Sequence, residues 1–230
     1  MKNYIAYITD SKILDDDGVF DVCLGRVSEY RRNKVLKLRR REDRNSSLAA
    51  GVLLTYVLDI WGGIDERRVE YECNKKGKPF IKNYFADVCF SMSHTEGCAA
   101  VVLCKKPCGI DVERIRRIPD SIVDRLFSDM DRNVISEDQQ NADVYGMSVW
   151  TRREAYSKMT GTGILMKDES QQMVMNDEYM NGKGVSLKNA VFDIGGSEFM
   201  TALALSDQID EDKGVEFIPS DQIIRELFGK

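Results

Sequence analysis

The octapeptide CGIDVERI, residues 108–115, sets Asp111 and Glu113 two positions apart in a stretch otherwise patterned as a buried strand. In a strand, residues i and i+2 share a face. Both carboxylates are therefore expected to point one way, while Ile110 and Val112 point into the core. Two neighbouring anions repel unless a cation joins them, and hard oxygen ligands suit magnesium. A strand end with one solvated acidic face would carry the same spacing.

A third carboxylate stands in VWTRREAYSKMTGTGI, residues 149–164. On a helix Trp150, Glu154 and Lys158 fall at i, i+4 and i+8 and form one stripe. Glu154 would add a further ligand, and Lys158 a cation one turn on for a phosphate. An exposed Glu–Lys pair, worth about 0.3–0.5 kcal/mol, has the same pattern. His94 is the chain's single histidine and follows Ser93 in FSMSHTEG, residues 90–97. It is expected just past a strand end, as a ligand contact or as a solvated or structural group. Lys75, Lys76 and Lys78 crowd the segment NKKGKP, which reads as a turn able to hold an anion or simply face water.

The net charge is −5, which argues against general nucleic-acid binding. Yet residues 29–44, EYRRNKVLKLRRREDR, carry eight Lys or Arg against three acids. A basic patch on an acidic chain suggests one anionic ligand or partner. Apolar residues make up 43% and charged residues 31%, the balance of a soluble globular protein. No apolar run approaches the roughly 20 residues of a membrane span. The N-terminal MKNYIAYITD lacks the unbroken apolar core of a signal peptide, so a cytoplasmic location is expected. Six cysteines, with no C-x-x-C pair and one histidine, argue against a Cys/His zinc site and for reduced, structural thiols.

These residues need elements to position them. YIAYIT reads as a strand, and residues 27–60 as helical, with Ala49, Leu53, Tyr56 and Ile60 at helical spacing and WGG as the stop. VEYEC, DVCFSMS and CAAVVLC read as strands. Pro119 suits a first helical turn, and Val144–Met159 is the strongest later helix, ending at Gly161. VSLKNAVFDI and EFMTALALS are strand-like and precede a charged tail. The strand–helix–strands order occurs once before about residue 106 and again, more loosely, after it. That order predicts an α+β chain of two halves, residues 1–106 and 107–230.

Together the pieces resemble the 4′-phosphopantetheinyl transferases of the surfactin-synthetase-associated (Sfp) type. That family's patterns are a G-K-P turn, an F-x-x-S-H segment, a G-[IV]-D-[IV]-E strand and a W-x-x-K-E-x-x-x-K helix. Here they read Gly77-Lys78-Pro79, Phe90-Ser91-Met92-Ser93-His94, Gly109-Ile110-Asp111-Val112-Glu113, and Trp150-Thr151-Arg152-Arg153-Glu154 continuing to Lys158. Order and intervals agree from about residue 30 to 165. Arg153 stands where the pattern has lysine, and Asp131 where relatives carry glutamate in an F-S-x-x-E element.

The resemblance implies two similar halves in a pseudo-dimeric arrangement, acting as a monomer. It implies transfer of the phosphopantetheine arm of coenzyme A to a serine of an apo acyl- or peptidyl-carrier protein, releasing adenosine 3′,5′-bisphosphate. Asp111, Glu113 and Glu154 would hold Mg²⁺ against the coenzyme A pyrophosphate, and Glu154 would also be the candidate base. Lys158 would neutralise pyrophosphate oxygens, and Ser93 and His94 would contact coenzyme A phosphates. Lys78 would lie in the adenine-side turn, and Arg31 and Lys34 at the 3′-phosphate. No nucleic-acid or membrane partner is expected. Manganese accepts the same oxygen ligands. A paralogue that binds coenzyme A or a carrier without turnover, and a Mg-dependent nucleotide diphosphate hydrolase, share parts of this pattern.

Overall fold

The computed structural model describes residues 3–82, 88–164, 169–210 and 213–229. The chain gathers into two compact units, one formed by Met1–Lys105 with Val215–Lys230, the other by Lys106–Gly214.

In the first unit β1 (Tyr4–Asp10) leads through a short turn to α1 (Asp17–Leu24), α2 (Glu29–Leu36) and α3 (Arg41–Gly62). Then come β2 (Tyr71–Cys73), β3 (Pro79–Ile81), β4 (Cys89–Thr95) and β5 (Cys98–Cys104). β5 pairs antiparallel with β4 on one side and β1 on the other. Its sequence, CAAVVLC, is apolar throughout because every residue of this strand is buried. α3 lays Leu48, Leu53, Leu54 and Val57 against Ile5, Ala99, Val101 and Leu103 of the sheet. It closes at Gly63, whose φ of 66° lets its N–H reach the Asp59 carbonyl at 2.7 Å while Ile64 N–H reaches Leu58 at 3.2 Å.

The helical expectation over 27–60 is thus split in two. The chain breaks at residues 37–40, where Arg44 Nε donates to the Leu38 carbonyl at 2.7 Å. His94 is also corrected: it lies inside β4, opposite Ala99, because only Glu96 and Gly97 (φ 90°) are needed to reverse the chain into β5. Asp87, the first residue of the strand expected there, lies outside the described residues.

The second unit runs β6 (Cys108–Arg114), α4 (Asp120–Leu126), α5 (Asp129–Glu137), α6 (Ala142–Thr160), α7 (Glu169–Gln172) and α8 (Asp177–Gly182). It ends with β7 (Ser186–Ile194) and β8 (Ser197–Leu205), joined by a turn at Gly195 and Gly196, both at positive φ. Among the described residues its sheet has the order β6-β8-β7, antiparallel throughout. α6 packs on β6 and β8 and ends at Gly161 (φ 71°), as the sequence predicts. Each unit therefore has a largely antiparallel sheet with one long helix laid across it, and the α+β class holds.

The sequence pattern predicts a second half that runs to residue 230, and here the structure differs. β9 (Glu216–Phe217) pairs parallel with β1, and α9 (Ser220–Phe228) packs on α3. The tail is charged on one side only. Ile218 and Ile223 are buried in the first unit's core, and Ser220 N and Oγ donate to Asp10 at 3.1 and 2.8 Å. No helix among the described residues is long and apolar enough to cross a membrane.

Candidate active site

The second unit's site begins with an absence of side chain. Gly109, Asp111 and Glu113 share the face of β6 turned to α6. A Cβ on Gly109 would lie 1.9 Å from the Ala155 carbonyl oxygen and 2.6 Å from the Met159 amide nitrogen. The helix backbone therefore rests directly on the strand, and only glycine allows it. Ala204 and Ala202, paired across the sheet with Gly109 and Asp111, keep the same track low. Glu154 and Lys158 flank Ala155 on α6, and this close crossing is what brings them to the acids of β6.

Asp111 is 3% exposed, so the solvated acidic face does not describe it. Its Oδ1 accepts from Lys158 Nζ at 2.6 Å. Glu113 is half-buried, with Arg116 at 4.0 Å. The Glu154 carboxyl is pushed above the usual carboxylate range, first by burial, then by the charge of Asp111, with Glu113 adding to it and Lys158 opposing. Three carboxylates, Asp111, Glu113 and Glu154, thus lie within one another's field, with the Lys158 ammonium among them. That donor set, all oxygen, is of the kind a hard divalent cation takes. As the side chains stand, however, no group of three His, Cys, Asp or Glu among the described residues is gathered closely enough to hold a metal ion. The ammonium of Lys158 is a cation already paired with Asp111.

The two departures from the family pattern have structural reasons. Arg153 is buried and donates through Nη1 to the Gln171 carbonyl at 2.5 Å, holding α6 to α7. Asp131 forms a reciprocal cap on α5. It accepts from Ser128 N–H at 3.2 Å and Ser128 Oγ at 2.6 Å, while Ser128 Oγ accepts from the Asp131 amide. Tyr145 of α6 donates to it at 3.0 Å. Arg152, which the sequence reading passed over, clamps α6 to the rest of the unit. It donates to the Val174 carbonyl at 2.8 Å, Asp177 at 2.7 Å and the Leu187 carbonyl at 3.3 Å, and also to Asn189. An arginine with these duties has no local sequence signature.

In the first unit, Arg31 and Lys34 lie on α2, Lys78 in the turn between β2 and β3, and Ser93 and His94 on β4. Arg31 is buried, with Nη2 on the Ser47 carbonyl at 3.0 Å. Burial lowers its pKa, and the nearby Tyr71 and Glu66 oppose that. Lys34 sits over the Tyr30 ring, 4.7 Å from its centroid. The Lys78 turn is fixed by Asn74, whose Oδ1 accepts from the Lys76 and Lys78 amides, and by Gly77 at φ 85°. Ser93 and His94, being consecutive in a strand, face opposite sides, with His94 on the side of Phe90 and Met92.

A chain of rings brings these elements together. Tyr30 of α2 stacks on Tyr71 of β2 at 4.9 Å, and Tyr71 meets Phe90 of β4 edge-on at 5.8 Å. The rest of the basic run is largely engaged. Arg32 donates to the Leu24 carbonyl, Arg41 to the Leu14 carbonyl and Asn45, and Arg40 pairs with Glu96.

Residues 107–181 match the model of the 4′-phosphopantetheinyl transferase superfamily. Among curated proteins, the chain is similar to three enzymes of that name. It is 27% identical over 139 residues to psf-1 of Bacillus pumilus, covering 60% of this chain and 59% of that protein. It is 25% identical over 145 residues to Sfp of Bacillus subtilis (strain 168), covering 63% and 64%. To gsp of Aneurinibacillus migulanus it is 27% identical over 150 residues, covering 65% and 62%. The matched region spans about three-fifths of the length of these relatives.

Proposed function

We propose that this member of the 4′-phosphopantetheinyl transferase superfamily transfers the phosphopantetheine arm of coenzyme A to a serine of an apo acyl- or peptidyl-carrier protein. The other product is adenosine 3′,5′-bisphosphate. The observation that carries this reading is the crossing of β6 and α6 at Gly109, which joins Lys158 to Asp111 and sets Glu154 within their field.

Asp111, Glu113 and Glu154 would be the residues that hold Mg²⁺, with Asp111 also facing the coenzyme A pyrophosphate. The ion, when bound, would neutralise phosphate oxygens and position the diphosphate for attack. Lys158 adds its ammonium to those oxygens once it parts from Asp111. Glu154 is the candidate base: burial and two like charges raise its affinity for a proton, which suits it to take one from the carrier serine hydroxyl. In the first unit Arg31 and Lys34 would meet the 3′-phosphate, Lys78 the adenine side, and Ser93 and His94 other coenzyme A phosphates. Two similar α+β halves in one polypeptide, a monomeric state and a cytoplasmic location belong to the same reading.

Incubation with apo-carrier, coenzyme A and Mg²⁺, followed by weighing the carrier, tests it. A gain equal to the phosphopantetheine arm supports transfer. Cleavage of coenzyme A without that gain means a hydrolase, and binding without either product means a non-catalytic paralogue.

A further inference from the structure

Glu66 is absent from every motif in the chain, yet it is the most completely buried acid described, with no exposed surface. It sits in a short 3-10 turn, residues 66–68, between α3 and β2. An ionised carboxylate accepts hydrogen bonds and donates none, so burying one requires donors brought from elsewhere. Three are present. Ser28 donates its backbone N–H to Oε2 at 2.6 Å and its hydroxyl to Oε1 at 2.7 Å, and Tyr71 donates its hydroxyl to Oε1 at 2.7 Å. Burial, followed by the charge of Glu66, raises the Tyr71 pKa, so the phenol stays protonated as a donor.

Both partners are placed where they control something else. Ser28 caps α2, its hydroxyl oxygen accepting from the Arg31 amide at 3.3 Å. Arg31 itself is 4% exposed and lies across Gly51 of α3, where a Cβ would come within 3.5 Å of its Nε. That Nε has no hydrogen-bond partner among the described residues, and nearby Tyr71 and Glu66 favour the charged guanidinium against its burial. Tyr71 opens the β2–β3 hairpin, whose turn carries Lys78, and stacks on Tyr30, over which Lys34 lies. One carboxylate therefore ties together the two segments that bear Arg31, Lys34 and Lys78.

We propose that Glu66 is a positioning residue for the nucleotide end of coenzyme A, fixing α2 and the β2–β3 hairpin so that Arg31 and Lys34 meet the 3′-phosphate while Lys78 meets the adenine side. The proposal rests on the coenzyme A reading above. Glu66 touches no substrate in it; Ser28 and Tyr71 carry its effect.

Calorimetric titration with adenosine 3′,5′-bisphosphate and adenosine 5′-monophosphate, compared between wild type, Glu66→Gln and Tyr71→Phe, tests it without needing turnover. Wild type is expected to prefer the bisphosphate. Glu66→Gln keeps the shape but replaces one acceptor oxygen with an amide, and is expected to lose about tenfold of that preference while monophosphate binding holds. Tyr71→Phe removes one donor and is expected to lose part of it. Should Glu66→Gln fail to fold by circular dichroism, Tyr71→Phe decides. A merely structural role would lower the melting temperature and leave the ratio of the two affinities unchanged. That unchanged ratio, or an equal loss of both nucleotides, in a folded variant overturns the proposal. Lack of any bisphosphate preference in wild type overturns the coenzyme A reading itself.

Discussion

The carbonyl oxygen of Ala155 occupies almost the space where Gly109 would carry a Cβ, 1.9 Å from it. Strand and helix are in backbone contact there, and the Lys158–Asp111 ion pair lies next to that contact. A methyl group at 109 cannot be absorbed by a rotamer change, because the obstructing atoms are main chain.

Gly109→Ala is expected to push α6 off β6 and lower stability by about 3 kcal/mol, the upper range for overpacking. Urea unfolding measures the loss, and transfer should fall further than stability because Glu154 and Lys158 move with the helix. A variant as stable as wild type would mean the crossing is looser than described.

Asp111→Asn preserves volume at a buried position and removes one negative charge. Transfer should drop by at least about 10²-fold, the scale of deleting one preorganised charged group from a site. The mass gained by an apo-carrier reads it, with circular dichroism confirming the fold. Full activity would remove Asp111 from the chemistry.

Lys158→Met takes away the ammonium that now offsets Asp111. Without metal the variant should melt lower than wild type. Added Mg²⁺ should then raise its melting temperature by more than it raises that of wild type, since the ion no longer competes with a resident cation. Thermal scans with and without MgCl₂ compare the two. Equal Mg²⁺ shifts would show that ion and lysine do not share the carboxylate.

Asp131→Ala removes half of the reciprocal cap on α5 and the acceptor of Tyr145. A loss of about 1–2 kcal/mol is expected, the range for an N-cap. Specific activity per folded molecule should stay near wild type, whereas a collapse of activity without unfolding would assign Asp131 to the reaction. Asp131→Glu should keep most of the stability, since a longer carboxylate can serve the same cap.

The strands and the helix that carry the acids were legible because their patterns are local. CAAVVLC is β5 residue for residue, and β6, β7, β8 and α6 fall within a residue or two of their expected ends. What was missed depends on contacts distant in the chain. α9 looks like a charged tail until Ile223 finds α3, 160 or more residues earlier. Arg152 reads like any helix arginine until its carbonyl partners arrive from residues 174 and 187. Glu66 has no neighbour in sequence to betray that Ser28 will need it. Asp131 was legible as an acid in a family element, but its duty as a cap follows from Ser128 standing at the start of a helix.

The parallel pairing of β9 with β1 makes the first unit from two separate stretches, 1–105 and 215–230, with residues 106–214 between them in sequence. Synthesis therefore delivers the opening strand about 200 residues before the strand that covers its bare edge. Until then that edge is an open template for pairing with another chain, and the first unit closes only after residues 106–214 have been made.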